Sequence, residues 1–139
     1  MTAWILDTGP LVAFFDRSDA YHSWAKTQWS KAPLPMLTCE AVLAEASYLL
    51  QTHAGLPPEK LLLLFERGIL SIPFRLEEHA DCVGRLLERY RDQQMQLADA
   101  CLVRMSEIKR DCRVFTMDKA EFQTYRRYER LVIPLVAPD

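Results

Sequence analysis

The sequence predicts a three-layer α/β/α sandwich built on a central parallel sheet of four to five strands. Short apolar runs alternate with helical segments along the whole chain, which favours strands joined to one another through helices. The runs are continuously apolar and do not alternate with polar residues, a pattern typical of strands covered on both faces. A chain of 139 residues is long enough for one substantial core and too short for two, so we expect a single domain spanning residues 1–139.

Five apolar segments are predicted to be strands. The first, 3–6, stops abruptly at Asp7 and is followed by Gly9 and Pro10, which end a strand and begin a turn or helix. The others are 36–38, 69–74, 113–116 and 131–135.

Helical spacing of apolar residues predicts seven helices between and after these strands. Thr38 is placed to cap the third helix, and Pro58 suits the first turn of the fourth because its missing N–H goes unused there. Gly68 ends that fourth helix. The predicted helices are 11–15, 19–30, 39–53, 57–67, 77–91, 97–110 and 119–127.

The overall composition excludes several classes of protein. Hydrophobic residues make up 50% of the chain and charged residues 26%, which fits a compact soluble protein and not a disordered one. The net charge is -2 and the pI is about 5.9, so any contact with a nucleic acid must be local. No apolar stretch approaches the roughly 18 residues of a membrane span, and the opening residues lack a basic leader. We therefore expect a cytoplasmic protein.

The cysteines and histidines indicate neither a zinc site nor a redox motif. The four cysteines lie far apart and form no CxxC pair, and the three histidines show no HxxxH or HxH spacing. Free buried thiols are the expected state of the cysteines.

Two acidic residues come directly after predicted strands. Asp7 follows the strand at 3–6, and Asp118 follows the strand at 113–116. In open parallel sheets, ligands bind at the carboxyl ends of the strands, so both acids are predicted to lie at the functional edge. Helix capping is the structural alternative for each of them taken alone.

Two further acids interrupt apolar helices. Glu45 is the only charged residue within 41–50, and Asp99 is the only one within 97–103. A carboxylate on a buried helix face is destabilising unless something compensates for its charge. A buried ion pair would do so, but neither acid has a basic residue three or four positions away that would stay buried.

The four acids together predict a divalent metal site. Carboxylate oxygens are hard ligands suited to Mg²⁺ or Mn²⁺, whereas zinc would call for histidine or cysteine. Four like charges converging on one edge would repel one another unless a cation offset them. The predicted ligands are Asp7, Glu45, Asp99 and Asp118.

Several neighbouring residues are weaker candidates for the same site. Thr8 and Gly9 add a hydroxyl and a close backbone approach beside the first acid, and Thr116 is placed to orient the last. Helix capping explains the two threonines equally well. Glu40 competes with Glu45, although its place in a first helical turn is also explained by the helix dipole.

Four segments carry a resemblance to a known family over nearly the whole chain. They are ILDTGPLVAFFDRSDAYH, LTCEAVLAEASYLL, LADACLVRMSE and VFTMDKAEFQTYR. With these segments the chain resembles PIN-domain ribonucleases, particularly the toxin halves of bacterial VapBC-type toxin-antitoxin pairs. The metal ligands implied by that resemblance are Asp7, Glu45, Asp99 and Asp118.

The resemblance also implies an activity and partners. The activity is metal-assisted hydrolysis of RNA phosphodiester bonds, with Asp7 and Asp99 as direct ligands of Mg²⁺ or Mn²⁺ and no side-chain nucleophile. Glu45 and Asp118 are expected to act directly or through water. A toxin of this kind would form a homodimer and be silenced by a small antitoxin encoded alongside it.

RNA binding by an acidic protein requires a local positive patch. The densest basic cluster lies close after the last acid and is interleaved with tyrosines, which can stack on unpaired bases. The alternative interpretation is a solvated helix end with its tyrosines packed inward. Arg17 and His22 are further candidates. The predicted RNA contacts are Arg126, Arg127, Arg130 and Tyr125.

Other classes of protein fit the sequence less well. A haloacid dehalogenase-type enzyme needs a second Asp two residues after the first, where this chain has Gly9. A receiver domain needs an acidic pair and a late lysine, for which Lys119 is a poor substitute, and no GxGxxG indicates dinucleotide binding. The remaining alternative is a PIN-like module that binds RNA or a protein without cutting. Loss of one or more of the four acids would indicate it.

Overall fold

A five-stranded parallel sheet forms the centre of the protein. The computed structural model describes residues 1–139. The strands are β1 (Ala3–Leu6), β2 (Met36–Leu37), β3 (Leu70–Ser71), β4 (Cys112–Phe115), β5 (Arg126–Arg127), β6 (Leu131–Val132) and β7 (Leu135–Val136). The central sheet has the order β3-β2-β1-β4-β7 with every neighbouring pair parallel. The predicted parallel sheet is therefore confirmed.

Helices flank this sheet. They are α1 (Thr8–Phe15), α2 (His22–Trp29), α3 (Glu40–Ala54), α4 (Glu59–Glu66), α5 (Ala80–Arg89), α6 (Leu97–Ile108) and α7 (Lys119–Thr124). α1 packs against α2 and α3, while α6 packs against α5, β1 and β4. None of these helices combines the length and the apolar character needed to cross a membrane.

The two central strands, β1 and β4, supply the middle of the core. Ile5 pairs with Val114 and Leu6 with Phe115, and all four side chains are fully buried. Burying side chains of this size contributes about 1.5–3 kcal/mol each, which explains why these runs are apolar on both faces. Because Leu6 and Phe115 are level, the residues that follow each strand emerge side by side at the same edge.

The helix predicted at 119–127 ends early, at Thr124. The cause is tertiary packing. The Tyr125 ring is buried against Tyr90, with ring centroids 5.1 Å apart, and the Tyr90 hydroxyl accepts the backbone N–H of Arg126 at 2.9 Å. That hydrogen bond takes up an N–H that would otherwise continue the helix, so residues 126–127 become strand β5.

The last strand, predicted at 131–135, is divided in two. Leu131–Val132 forms β6, which pairs antiparallel with β5 in a separate two-stranded sheet. Tyr128 and Glu129, with φ of 53° and 65°, make the turn between β5 and β6. Only Leu135–Val136 joins the central sheet, beside β4.

Two smaller predictions also differ from the structure. The Thr38 hydroxyl donates to the carbonyl oxygen of Leu6 at 2.9 Å and so joins β2 to β1, while the N-cap of α3 is Cys39. The helix predicted at 77–91 begins with a 3₁₀ turn at Leu76–His79 and becomes α-helical at Ala80. The four cysteines are free, and all but Cys82 are buried.

Candidate metal site at the carboxyl edge of the sheet

Asp7 follows β1 and is buried at this edge, with 4% of its surface exposed. It is the N-cap of α1, since its Oδ1 accepts the backbone N–H of Thr8 at 2.7 Å. Its Oδ2 accepts the Thr116 hydroxyl, also at 2.7 Å. The capping role and a place in an acidic site therefore belong to the same side chain.

Thr116 joins the first acid to the last. Its hydroxyl donates to Asp7 and accepts the backbone N–H of Asp118 at 3.0 Å. Asp118 itself is exposed and makes no side-chain cap for α7. Thr116 thus orients the side chain of Asp7 as well as the backbone of Asp118, whereas the sequence indicated only the second of these contacts.

Asp99 lies in the first turn of α6 with 8% of its surface exposed, which confirms its predicted burial. Its Oδ2 accepts the backbone N–H of Gln96 at 3.1 Å and the hydroxyl of Tyr125 at 3.3 Å. These two donors, from different parts of the chain, hold the Asp99 carboxylate at the sheet edge.

Glu45 differs from its prediction in one respect. It is exposed on α3, so the burial argument that selected it does not hold in the structure. Its charge nevertheless acts on Asp99 and Asp118 and helps to raise the pKa of each. Glu40 is exposed as well, and its charge acts on the Cys101 thiol.

A fifth acid, Glu121, joins the cluster and was missed by the sequence prediction. It is exposed on α7, and its charge interacts with those of Asp118 and Asp99. Residues three positions apart share a helix face, so its spacing from Asp118 could have revealed it.

The three aspartates Asp7, Asp99 and Asp118 have pKa values above their ordinary range. Burial raises the pKa of Asp7 from 3.8 to about 7; hydrogen bonds from Thr116 and Thr8 oppose the rise, and the charges of Asp99 and Asp118 add to it. Burial is also the main reason that the pKa of Asp99 and that of Asp118 are raised. Neither of the protein's two salt bridges involves these acids, so no lysine or arginine neutralises them.

The donor set fits a hard divalent cation. The acids offer carboxylate oxygens, and the Thr8 hydroxyl beside Asp7 is buried without a hydrogen-bond partner. The side chains as they stand form no closed cage, because no three acids, histidines or cysteines converge closely enough to hold one ion. Asp7 and Asp99 are held by hydrogen bonds, whereas Glu45 and Asp118 are exposed.

Gly9 permits a close approach at this edge. A Cβ atom added to Gly9 would lie 2.4 Å from Cγ and 2.9 Å from Cβ of Met117. The absence of a side chain at Gly9 therefore lets the start of α1 pack on the loop that carries Thr116 and Asp118.

Tyr125, predicted to contact RNA, is not at the surface. Only 1% of it is exposed, and its ring packs edge-on against Tyr90 and Phe122. No ring face is open for a base to stack on. The structure gives Tyr125 a different position, behind the acidic edge with its hydroxyl on Asp99.

The arginines predicted to contact RNA beside it differ in whether their side chains are already hydrogen-bonded within the protein. The Arg127 guanidinium donates to the carbonyl oxygens of Ser106 at 3.0 Å and Arg110 at 2.8 Å. The Arg126 guanidinium donates to carbonyl oxygens at the end of α7. Arg130 is exposed, as is Arg17.

His22, another rim candidate, is partly buried at the start of α2. Its Nδ1 lies 2.7 Å from the carbonyl oxygen of Ala13, a distance that fits a hydrogen bond. His22 therefore ties α2 to α1, and one of its ring nitrogens is already engaged.

A helix-covered parallel sheet with acids beyond β1 and β4 defines an α/β protein whose candidate functional site lies at the carboxyl edge of the sheet. The family model of the PIN domain matches residues 4–128. The chain belongs to the PIN domain family, which confirms the resemblance carried by its sequence segments.

Two relatives illustrate the range of similarity. The chain is 25% identical over 123 residues to ribonuclease VapC26 of Mycobacterium tuberculosis, an alignment that covers 88% of this chain and 91% of the relative. The crystal structure of Mycobacterium tuberculosis VapC20, described as a sarcin-ricin loop cleaving toxin, matches with a TM-score of 0.72. That match has 19% identity and covers 86% of this chain and 94% of VapC20, so it shows a shared fold.

Proposed function

We propose that this PIN-domain protein is a divalent-metal-dependent endoribonuclease that hydrolyses phosphodiester bonds in RNA. The observation that carries the proposal is that Asp7, Asp99 and Asp118 interact electrostatically at one edge, with raised pKa values and no salt bridge to a cationic side chain. Such an arrangement is unfavourable in isolation and is accounted for by a bound cation. The names of ribonuclease VapC26 and of the sarcin-ricin loop cleaving toxin VapC20 support RNA as the substrate.

In this proposal Asp7, Asp99, Glu45 and Asp118 hold Mg²⁺ or Mn²⁺. The ion, when bound, supplies the Lewis acidity that activates a water for attack on phosphorus and neutralises charge developing on the phosphate. Carboxylate ligands without histidine or cysteine favour these hard cations.

Hydrogen-bond donors within the chain orient two of these acids and favour their ionised forms. The Thr116 hydroxyl fixes the direction of Asp7 and favours its ionised form, since a hydrogen bond to a carboxylate opposes protonation. Tyr125 and the backbone N–H of Gln96 do the same for Asp99. The other two proposed ligands, Glu45 and Asp118, are exposed. Catalysis of this kind needs no Ser, Cys or His nucleophile.

RNA contacts outside the acidic edge are assigned to the exposed arginines. Arg130 is free to reach a phosphate, and Arg17 is a second exposed candidate. Arg126 and Arg127 are engaged by backbone carbonyls, so we assign their charge a longer-range role in attracting RNA.

We also propose that the protein is the toxin of a toxin-antitoxin pair, acting in the cytoplasm as a homodimer that a small antitoxin silences. The description of VapC20 as a toxin supports the toxin part of this proposal. A short reading frame beside the gene, whose product co-purifies with this chain, would be the expected finding. Light scattering of the isolated chain would give its mass in solution.

The activity is tested by incubating structured RNA with the purified protein in Mg²⁺, in Mn²⁺ and in EDTA. We expect cleavage with either metal, none in EDTA, and loss of cleavage in Asp7→Asn and Asp99→Asn. Asp81→Asn is the matched control, because Asp81 is an exposed acid on α5 outside the cluster. Cleavage by Asp7→Asn and Asp99→Asn at the parent's rate would disprove the proposed site. A folded parent that binds RNA without cutting it would indicate a silent PIN module.

A further inference from the structure

A groove of about 490 Å³ lies beside the acidic edge and shares Asp118 with it. Its wall includes Tyr21 at the start of α2, Met117, and the residues Lys119 and Glu121 of α7. The volume falls within the range of about 300–1,000 Å³ that is typical of sites for small organic ligands. A ligand group in this groove would therefore lie next to the proposed metal site.

Tyr21 presents an aromatic ring to this groove. It is 45% exposed, and its side chain makes no hydrogen bond, while its backbone N–H is fixed by Asp19 Oδ1 at 2.8 Å. The preceding loop is further tied by Ser18, whose N–H and hydroxyl both donate to Asp16. An exposed ring on an anchored backbone is a suitable surface for stacking a nucleobase.

The charges of the groove indicate which part of a nucleotide it suits. Three acids line the groove, namely Asp118, Glu121 and the exposed Asp139, and they would repel a phosphate. Their carboxylate oxygens can accept hydrogen bonds from the amino groups of a base, and the Gln123 amide offers another partner. Lys119 belongs to neither salt bridge of the protein, so its ammonium group is available for the phosphate that joins this nucleotide to the next.

We propose that this groove is a subsite for the nucleobase next to the scissile phosphodiester, with the base stacked on Tyr21 and its amino group facing Asp118 and Glu121. The inference rests on the proposed ribonuclease function and adds a base preference to it. Cytosine, adenine and guanine carry amino groups, whereas uracil does not, so the subsite favours the first three over uracil.

The test measures RNA binding and not cleavage, so that it is separable from the test of the activity. Fluorescein-labelled oligocytidylate and oligouridylate are titrated with Asp7→Asn protein, which cannot cut in the proposed mechanism, and their anisotropy is recorded. Adding Tyr21→Ala is expected to weaken oligocytidylate binding about tenfold, as expected for loss of one stacked base. Tyr21→Phe should restore it. Tyr48→Ala is the matched control, because Tyr48 is 68% exposed on α3 and does not line the groove.

Each result decides the proposal. Weaker binding in Tyr21→Ala alone, together with tighter binding of oligocytidylate than of oligouridylate, supports the subsite even if the parent shows no cleavage. Equal affinities of the Tyr21→Ala and Tyr48→Ala proteins would overturn it, even if the parent cuts RNA. Binding of oligouridylate as tight as that of oligocytidylate would overturn the assigned amino-group recognition. The melting temperature of each variant verifies that the protein is folded.

Discussion

Replacing Asp7 by Asn is expected to stabilise the metal-free protein at neutral and alkaline pH, although it removes a proposed metal ligand. Asp7 is 4% exposed, and burial raises its pKa from 3.8 to about 7. An unfolded chain releases this proton at lower pH than the folded protein does. The free energy of unfolding therefore falls as the pH rises from about 4 to about 7 and stays low above that. Asn carries no charge and avoids this loss.

The size of the effect follows from the two pKa values. The difference between 3.8 and about 7 corresponds to about 4 kcal/mol at a pH above both. Asn keeps the bond from the Thr8 N–H, but the bond with Thr116 must be rearranged, which costs about 1–2 kcal/mol. A net gain of about 2 kcal/mol remains at about pH 8, equivalent to a rise of roughly 6 °C in melting temperature. At about pH 5 the stabilisation from removing the charge is about as large as the cost of rearranging the Thr116 hydrogen bond, so the two proteins should be equally stable.

Thermal unfolding in EDTA, followed by circular dichroism, measures the difference in melting temperature between the parent and Asp7→Asn at about pH 8 and at about pH 5. Asp81→Asn, an exposed change on α5, should leave the melting temperature unaltered. Added Mn²⁺ should reverse the order, because the parent gains binding free energy that Asp7→Asn lacks. A lower melting temperature for Asp7→Asn at about pH 8, or a difference that does not vary with pH, would refute the reasoning.

Three further substitutions test the supports of the acidic edge. Thr116→Val removes the hydroxyl held by Asp7 and should destabilise the protein by about 1–3 kcal/mol in urea unfolding, with Thr116→Ser close to the parent. Gly9→Ala places a Cβ 2.4 Å from Met117 Cγ and should cost about 1–3 kcal/mol in the same assay. Adding Met117→Ala should recover part of that loss, and full stability of Gly9→Ala alone would contradict the packing described. Tyr125→Phe keeps the buried ring but loses its hydroxyl, so Mn²⁺ affinity should fall about tenfold while the melting temperature changes little; an unchanged affinity would exclude a positioning role.

The sheet and the acids that end its strands were predictable from local sequence. An apolar run that stops at an acid marks both a buried strand and its exposed end, and this predicted the positions of Asp7 and Asp118. Burial of Asp99 was also predictable, because the helix around it carries no other charge. The same argument did not hold for Glu45, since the exposed Ala44 and Tyr48 show that an apolar stretch of helix can face solvent.

Features that depend on distant contacts were not predictable. The helix after Asp118 ends at Thr124 because Tyr90, far away in the chain, accepts a hydrogen bond from the Arg126 backbone. The helical spacing of apolar residues does not reveal a hydrogen bond between residues so far apart in the chain. For the same reason the sequence left open whether Tyr125 contacts RNA or packs inward, and the structure shows it buried behind Asp99, as in the second interpretation.

The most direct test of the central claim is the affinity of the purified protein for Mn²⁺, measured by titration calorimetry near neutral pH. If the acids of the sheet edge form a metal site, Asp7→Asn and Asp99→Asn should each weaken binding by at least about tenfold, while Asp81→Asn should bind as the parent does. Equal Mn²⁺ affinities in all four proteins would contradict the account.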